Sequence, residues 1–391
     1  MARIIVTSQP STAHIHLFLP IARAASKNGD DVRFATSPTI SSKIEAAGLT
    51  IVPAGLEWDD KTIDNVFPGF YELEPKLVPL IFYKEVCASR SAPPFLDDLL
   101  RLVADWKPEI VISDGSEFAG PALAAILGIP WVILGFGSGR IPFSALVPLA
   151  AESFGNLCTS NGFMGDPAGF LANPDLLIYF VAAPFRVPEA ETFSFTRILR
   201  PEVFDATVTS DLPPWINELQ DRLIIYISLG TVFGTAKRFR TILDAIEGVD
   251  AEIILTTGDD INPNDLGKRP DNLHVERYIP NRALLPYVNV LITHGGYTTV
   301  MTALTAGIPM LLTPISADHP ENAKRCNEIG VGLSASLDEP TAIRAALDRL
   351  IVDDNIRNNT HRVAQEIEMQ PDAFDGAMMV RDLVRRSSER E

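Results

Sequence analysis

Two stretches of this chain repeat one plan, and that repetition constrains the fold more than any other feature. In the first half, residues 3–7 read as a buried strand and residues 16–27 as an amphipathic helix. Strands follow near 32–36 and 50–54, then a helix around 94–106, a strand at 109–113, a helix at 117–127 and a strand at 131–134. The second half repeats the alternation. It has strand patterns at 223–228, 252–256, 273–276, 290–293 and 310–313, with helical patterns near 237–246 and from Thr298 onward. Strands alternating with helices predict parallel sheets with crossover helices, here an α/β chain of two Rossmann-like domains.

At 391 residues the chain also exceeds what one ordinary core holds. Pro201, Pro213 and Pro214, with Asp205 and Asp211, interrupt the periodicity between the halves. The expected division is an N-terminal domain over 1–204, a linker over 205–214 and a C-terminal domain over 215–374. A last helix over 375–391 is expected to pack back on the first domain.

In an open parallel sheet the first and fourth strands flank the topological switch point, and ligands bind beyond their carboxyl ends. That rule selects His14 and Asp114 in the first domain. In the second it selects Ser228, Gly230 and Thr231 after the first strand, and His294, Gly295 and Gly296 after the fourth. A histidine facing a cleft can take a proton from an attacking hydroxyl, and an aspartate beside it can hold the reactive tautomer. His16 is the rival base. Plainer roles stay open, with His14 as a polar group at a helix entry and Asp114 as a helix N-cap.

The segment Thr293-His-Gly-Gly-Tyr-Thr-Thr299 places glycines and hydroxyls between a buried strand and a helix start, which suits phosphate. Thr298 and Thr299 read equally well as caps, and Gly230 as a simple turn. Asp318 and His319 precede a helix containing Glu321 and Asn322, polar groups able to bind sugar hydroxyls. Asp318 also reads as a helix N-cap.

The formal charge of −17 argues against DNA or RNA, whose binding needs many cationic contacts to phosphate. A single diphosphate is different, since helix N-termini and backbone amides hold it without a basic patch. Cys87, Cys158 and Cys326 are widely spaced, no Asp-x-Asp triplet occurs, and histidines do not cluster with carboxylates at ligand spacing. No metal and no resident cofactor are therefore expected. The opening residues enter a strand pattern without the features of a signal peptide, and no 18-residue apolar span occurs, so the expected compartment is the cytoplasm. A homodimer is left open.

Taken together and in order, these motifs resemble those of the inverting glycosyltransferases that include plant secondary-metabolite glucosyltransferases and bacterial antibiotic glycosyltransferases. Ala13-His-Ile-His-Leu-Phe-Leu-Pro-Ile-Ala22 is similar to that family's opening pattern around its catalytic base, and Asp114 to the acid that supports the base. Tyr226-Ile-Ser-Leu-Gly-Thr231, Tyr278-Ile-Pro280, His294-Gly-Gly296, Gly307-Ile-Pro309 and Asp318-His-Pro-Glu-Asn-Ala323 resemble its donor-binding signature.

The resemblance implies a GT-B fold, two Rossmann-like domains facing each other across a deep cleft, and no cofactor besides the UDP- or dTDP-sugar co-substrate. It places the nucleotide base against Ile279 beside Tyr278, the diphosphate at His294, Gly296 and Thr299, in a donor-binding turn that also includes Gly295, Tyr297 and Thr298, and the sugar at Asp318 and His319. His319 stands where many relatives carry glutamine. Ala13, Leu17 and Thr298 also depart from the family's commonest residues.

Trp58, Phe67, Phe70, Tyr71, Phe82 and Tyr83 crowd an aperiodic stretch of the first domain and are expected to meet a small, apolar or aromatic acceptor. Some of them read equally as a satellite cluster packing the loops. The expected reaction is transfer of a sugar to an acceptor hydroxyl. A nucleotide-sugar epimerase on the same fold and a non-catalytic partner of another transferase remain the alternatives.

Overall fold

The computed structural model describes the chain except residues 75–76, 203, 205–211, 220–221, 231–232, 259, 268–269 and 390–391. Most of the expected 205–214 linker, and Thr231, lie outside the described residues. The fold divides into two compact units. The first comprises 1–181, 188–204 and 370–391, and the second 182–187 and 205–369.

Among the described residues, the first unit holds a seven-stranded parallel sheet ordered β3-β2-β1-β4-β5-β6-β7. The strands are β1 (Arg3–Thr7), β2 (Asp31–Thr36), β3 (Thr50–Pro53), β4 (Ile110–Asp114), β5 (Trp131–Gly135), β6 (Leu176–Phe180) and β7 (Thr196–Leu199). Strands buried on both faces read as unbroken apolar runs, and every residue of β4 and β6 is buried. The order reverses beside β1, which pairs with β2 on one side and β4 on the other, so Thr7 lies opposite Ser113 and the ends of β1 and β4 open together. β6 and β7 extend the sheet beyond the strands read from sequence.

Helix α1 (Thr12–Lys27) starts about one turn before the expected residue 16. Ser11 is extended at its N-cap, and Asp60 Oδ2 accepts the Thr12 N–H at 2.8 Å. His14 is therefore carried on the first turn of a helix and not on the loop before it. Helix α2 (Ala92–Leu102) continues a helical stretch that widens into π-type turns over Phe82–Ser91. Helix α3 (Ala119–Leu127) follows β4 and ends at Gly128, whose φ of +67° suits a residue without a Cβ. Helix α4 (Phe143–Ser160) was not read from sequence.

The second unit, among its described residues, has a six-stranded parallel sheet ordered β10-β9-β8-β11-β12-β13. Its strands are β8 (Ile224–Ser228), β9 (Glu252–Thr256), β10 (Leu273–Glu276), β11 (Val290–Thr293), β12 (Met310–Leu312) and β13 (Gly332–Ser334). Here the order reverses at β8, with Ser228 opposite Thr293 in the register. Its helices include α5 (Ala236–Ala245), α6 (Tyr297–Ala306), α7 (His319–Glu328), α8 (Pro340–Val352) and α9 (Asp354–Glu368). Ile225, Ile227, Phe239, Ile292, Ile343 and Leu347 form the centre of its core.

The first domain is not continuous to 204, as expected, because residues 182–187 belong to the second unit. Arg325 on α7 explains the difference. Its guanidinium donates to the carbonyls of Pro184, Phe185 and Arg186 at 2.7–2.8 Å. Nor does the second domain reach 374, since the chain rejoins the first unit at Gln370, whose Nε2 donates to the Val181 carbonyl at 2.9 Å. Helix α10 (Ala373–Ser388) opens with a capping box of Asp372 and Asp375. It packs on α1, where Gly376 leaves no room for a side chain against Ile21 and Leu199.

Candidate active site

In the first unit, the ends of β1 and β4 bring His14 and Asp114 together. His14 Nδ1 lies 2.5 Å from Asp114 Oδ2. Asp114 is 1% exposed, and its other oxygen accepts the N–H and hydroxyl of Ser116 at 2.9 and 3.0 Å. The Gln9 N–H reaches Oδ2 at 3.4 Å. Burial alone would raise this carboxyl, but the His14 ring and the Ser116 hydrogen bonds outweigh it and hold Asp114 below the ordinary carboxylate range. An ionised Asp114 only accepts, so the proton of this hydrogen bond belongs to His14 Nδ1.

His14 keeps a half-buried ring, edge-on to Phe136 at 4.7 Å between centroids. Phe136 was not singled out in the sequence, because it follows β5 and not one of the two strands flanking the switch point. His16 sits two residues along α1 and so points to a different helix face. Its carbonyl accepts the Phe204 N–H.

Asp114 does not cap the following helix. That role falls to Glu117, whose two oxygens accept the N–H groups of Ala119 and Gly120 at 2.5 and 2.8 Å. Burial pushes the Glu117 carboxyl up to about 7. Gly120 is required here, since a Cβ would collide with Thr7 and with Glu117 Oε2.

In the second unit, the turn after β11 packs around an imidazole. His294 is 6% exposed, its Nδ1 lies 3.2 Å from Thr293 Oγ1, and its ring fills the space beside Gly230 and Gly296. A Cβ on Gly296 would stand 2.5 Å from His294 Nε2. Gly295 has φ +87°, so this turn needs glycine on both counts.

Gly296 is the N-cap of α6, so Thr298 and Thr299 are not caps. They lie half-buried in the first turn, where backbone N–H groups and the positive end of the helix dipole point outward. Tyr297 turns the other way, buried edge-on to Phe185 at 6.3 Å.

His319, 2% exposed, meets His294 at right angles with centroids 4.5 Å apart. Phe233 covers both rings, 4.7 Å from His319 and 5.9 Å from His294. This aromatic gave no signal in sequence beyond its nearness to Gly230. Burial lowers His294 to about 4, and burial with the neighbouring His294 lowers His319 to about 3, so both rings are neutral near pH 7.

Asp318 occupies the N-cap position of α7, but its side chain does not cap the helix and instead accepts from Asn322 at 2.6 Å. Ala317 just before it has φ +52°, a left-handed conformation that costs about 1–3 kcal/mol in a non-glycine residue and aims the segment at this site. Tyr278 is exposed and Ile279 buried, on the segment following β10.

The aromatic residues of 58–83 divide. Trp58 is buried with Ile63 and Val86, and Phe67, Phe70 and Phe82 pack on that cluster, so these side chains hold the loops together. Tyr83 stands edge-on to Phe82 at 6.0 Å between centroids, and burial first and Asp114 second raise its phenol. The side chain of Tyr71 lies outside the described residues.

Comparison with known proteins agrees with the two-unit fold. Residues 23–156 match the family described as Erythromycin biosynthesis protein CIII-like, N-terminal domain, and residues 240–383 match its C-terminal domain. The L-demethylnoviosyl transferase of Streptomyces niveus is 29% identical, over 94% of this chain and 95% of its own. The glycosyltransferase SnogD from Streptomyces nogalater has a crystal structure that aligns at TM-score 0.81 and 26% identity, covering 98% of this chain and 99% of its own. The glycosyltransferase VinC, solved in complex with dTDP, aligns at TM-score 0.81 and 22% identity over 98% of this chain and all of its own, a likeness of fold. Two parallel-sheet Rossmann-like units with polar switch points, matched along nearly their whole length by sugar transferases, identify the chain as a glycosyltransferase of the family 1-like group with a GT-B fold.

Proposed function

We propose that the chain is an inverting, metal-independent transferase that moves a sugar from a dTDP- or UDP-sugar to a hydroxyl of a small apolar or aromatic natural-product acceptor. The observation that carries this reading is the 2.5 Å contact of His14 with Asp114 at the switch point of the first sheet. His14 Nε2 takes the acceptor proton, the acceptor oxygen bonds to the anomeric carbon from the face opposite the leaving group, and the bond to the diphosphate breaks with its electron pair on phosphate oxygen. The products are the glycoside of inverted configuration and the nucleoside diphosphate. Asp114 steadies the imidazolium that forms, as an acid does in other His–Asp pairs.

The departing diphosphate is held by the turn at His294–Gly296 and the N–H groups that open α6, where a helix N-terminus offsets developing negative charge. The dTDP bound by VinC and the sugar-transferring relatives support a nucleotide-sugar donor. No metal is given a role, because backbone amides and the helix dipole supply the stabilisation.

The test is to incubate the chain with dTDP- and UDP-sugars and a panel of phenols and alcohols. Mass spectrometry should show a glycoside, and proton NMR an anomeric configuration opposite to the donor's. A retained configuration, or an isomerised donor without acceptor, contradicts the proposal.

A further inference from the structure

The turns after β11 and β12 are tied together by one side chain, Asn322, which the sequence marks only as a polar group beside Asp318 and His319. Asn322, 3% exposed and one turn into α7, spends both amide protons on them. Its Nδ2 donates to the carbonyl of Gly295 at 2.9 Å and to Asp318 Oδ2 at 2.6 Å. Gly295 belongs to the turn after β11 and Asp318 to the segment after β12, strands that are neighbours in the sheet. The fit leaves little slack. A Cβ on Gly295 would press on Leu312 and on the His319 carbonyl at 3.3 and 3.4 Å. The Asn322 N–H also donates to the Asp318 carbonyl at 3.0 Å, so the side chain returns over the turn that its own backbone closes.

We propose that Asn322 is a positioning residue that fixes the Asp318 carboxylate relative to the glycine turn, and so couples the sugar to the diphosphate it leaves. An amide suits this task because both partners are acceptors and its NH2 group offers two donors. A carboxylate in its place would face an oxygen on each side. The proposal rests on the reading that Asp318 meets the sugar and the 294–299 turn the diphosphate. It concerns only bound donor carrying its sugar, since a nucleoside diphosphate alone never reaches Asp318.

The experiment compares native chain, Asn322→Ser and Asn322→Asp by calorimetry with dTDP, by steady-state kinetics with a dTDP-sugar, and by melting temperature. Native turnover is measured first; its absence overturns the parent reading and not this one. With native turnover established, Asn322→Ser should lower kcat/KM for the sugar donor by about 10²-fold, as for a misplacement of about 1 Å. Its Kd for dTDP should stay within about threefold. Asn322→Asp should lose more, through repulsion of Asp318.

In an Asp318→Asn background, adding Asn322→Ser should cost little further, because the two residues act as one unit. A variant that melts early but keeps the split between sugar donor and dTDP still supports the proposal. Equal losses for dTDP and sugar donor, or full additivity with Asp318→Asn, would overturn it.

Discussion

Burial makes the imidazoles of the second unit neutral hydrogen-bonding groups and not charges. With His294 at about 4 and His319 at about 3, each is uncharged in the folded chain throughout the range where an unfolded histidine, near 6.5, takes up a proton. As pH falls below 6.5 the unfolded state binds protons that the folded state refuses, so stability falls, by about 1.4 kcal/mol per pH unit for each group until its folded value is reached. Glu117 works in the opposite direction, since its carboxyl at about 7 keeps a proton that the unfolded chain releases above 4.5, and this contribution is lost as pH rises towards 7. His319→Gln should therefore melt at a temperature that gains on the native chain as pH is lowered from 6.5 to 4. A constant difference across that range would show that His319 does not titrate as its burial dictates. The meeting of His14 with Asp114 and the places of His294 and Asp318 beyond the strand ends were readable, since all four follow from the switch-point rule or from motif order. Their partners were not, because Ser116, Phe136, Phe233 and the second bond of Asn322 are contacts between segments distant in sequence or details of side-chain direction.

At the scale of the element, the turns matter more than the strands that lead to them. The turn between β11 and α6 holds His294 because Gly230 and Gly296 have no side chains, and Gly296→Ala would drive a Cβ to 2.5 Å from His294 Nε2. Overpacking of this kind costs about 1–3 kcal/mol. Denaturant unfolding should show that loss, and calorimetry a dTDP affinity lowered at least tenfold. Native stability and affinity in this variant would mean that the ring does not occupy the place assigned to it. The buried strands β1, β4, β8, β9 and β11 were legible because parallel strands covered on both faces are continuous apolar runs. β7 and β13 were not, being four and three residues long and owing their extended state to their neighbours in the sheet. The start of α1 was misplaced for a related reason. Pro10, Ser11 and Thr12 read locally as a turn, and the carboxylate that accepts the Thr12 N–H comes from Asp60.

At the scale of the whole molecule, the chain serves its two units in an interleaved order. It enters the second unit briefly at 182–187, returns to finish the first sheet with β7, builds the second unit, and comes back at Gln370 to lay α10 on α1. Arg200 anchors that return, through Asp372 at 3.2 Å and its own N–H to the Pro371 carbonyl at 2.8 Å. A periodicity reading sees two successive domains because these exchanges depend on pairings such as Arg325 with Pro184–Arg186. On the proposed function the duties are divided as well, with His14 of the first unit as proton acceptor and the 294–299 turn of the second as holder of the diphosphate. Separating those duties in one variant is the most direct measurement of the account. His14→Ala should retain the dTDP-sugar affinity of the native chain within about threefold by calorimetry, while transfer to a hydroxyl acceptor in a single turnover falls by about 10²–10⁴, the usual worth of a general base. Transfer at the native rate, or loss of donor binding in step with loss of transfer, would contradict it.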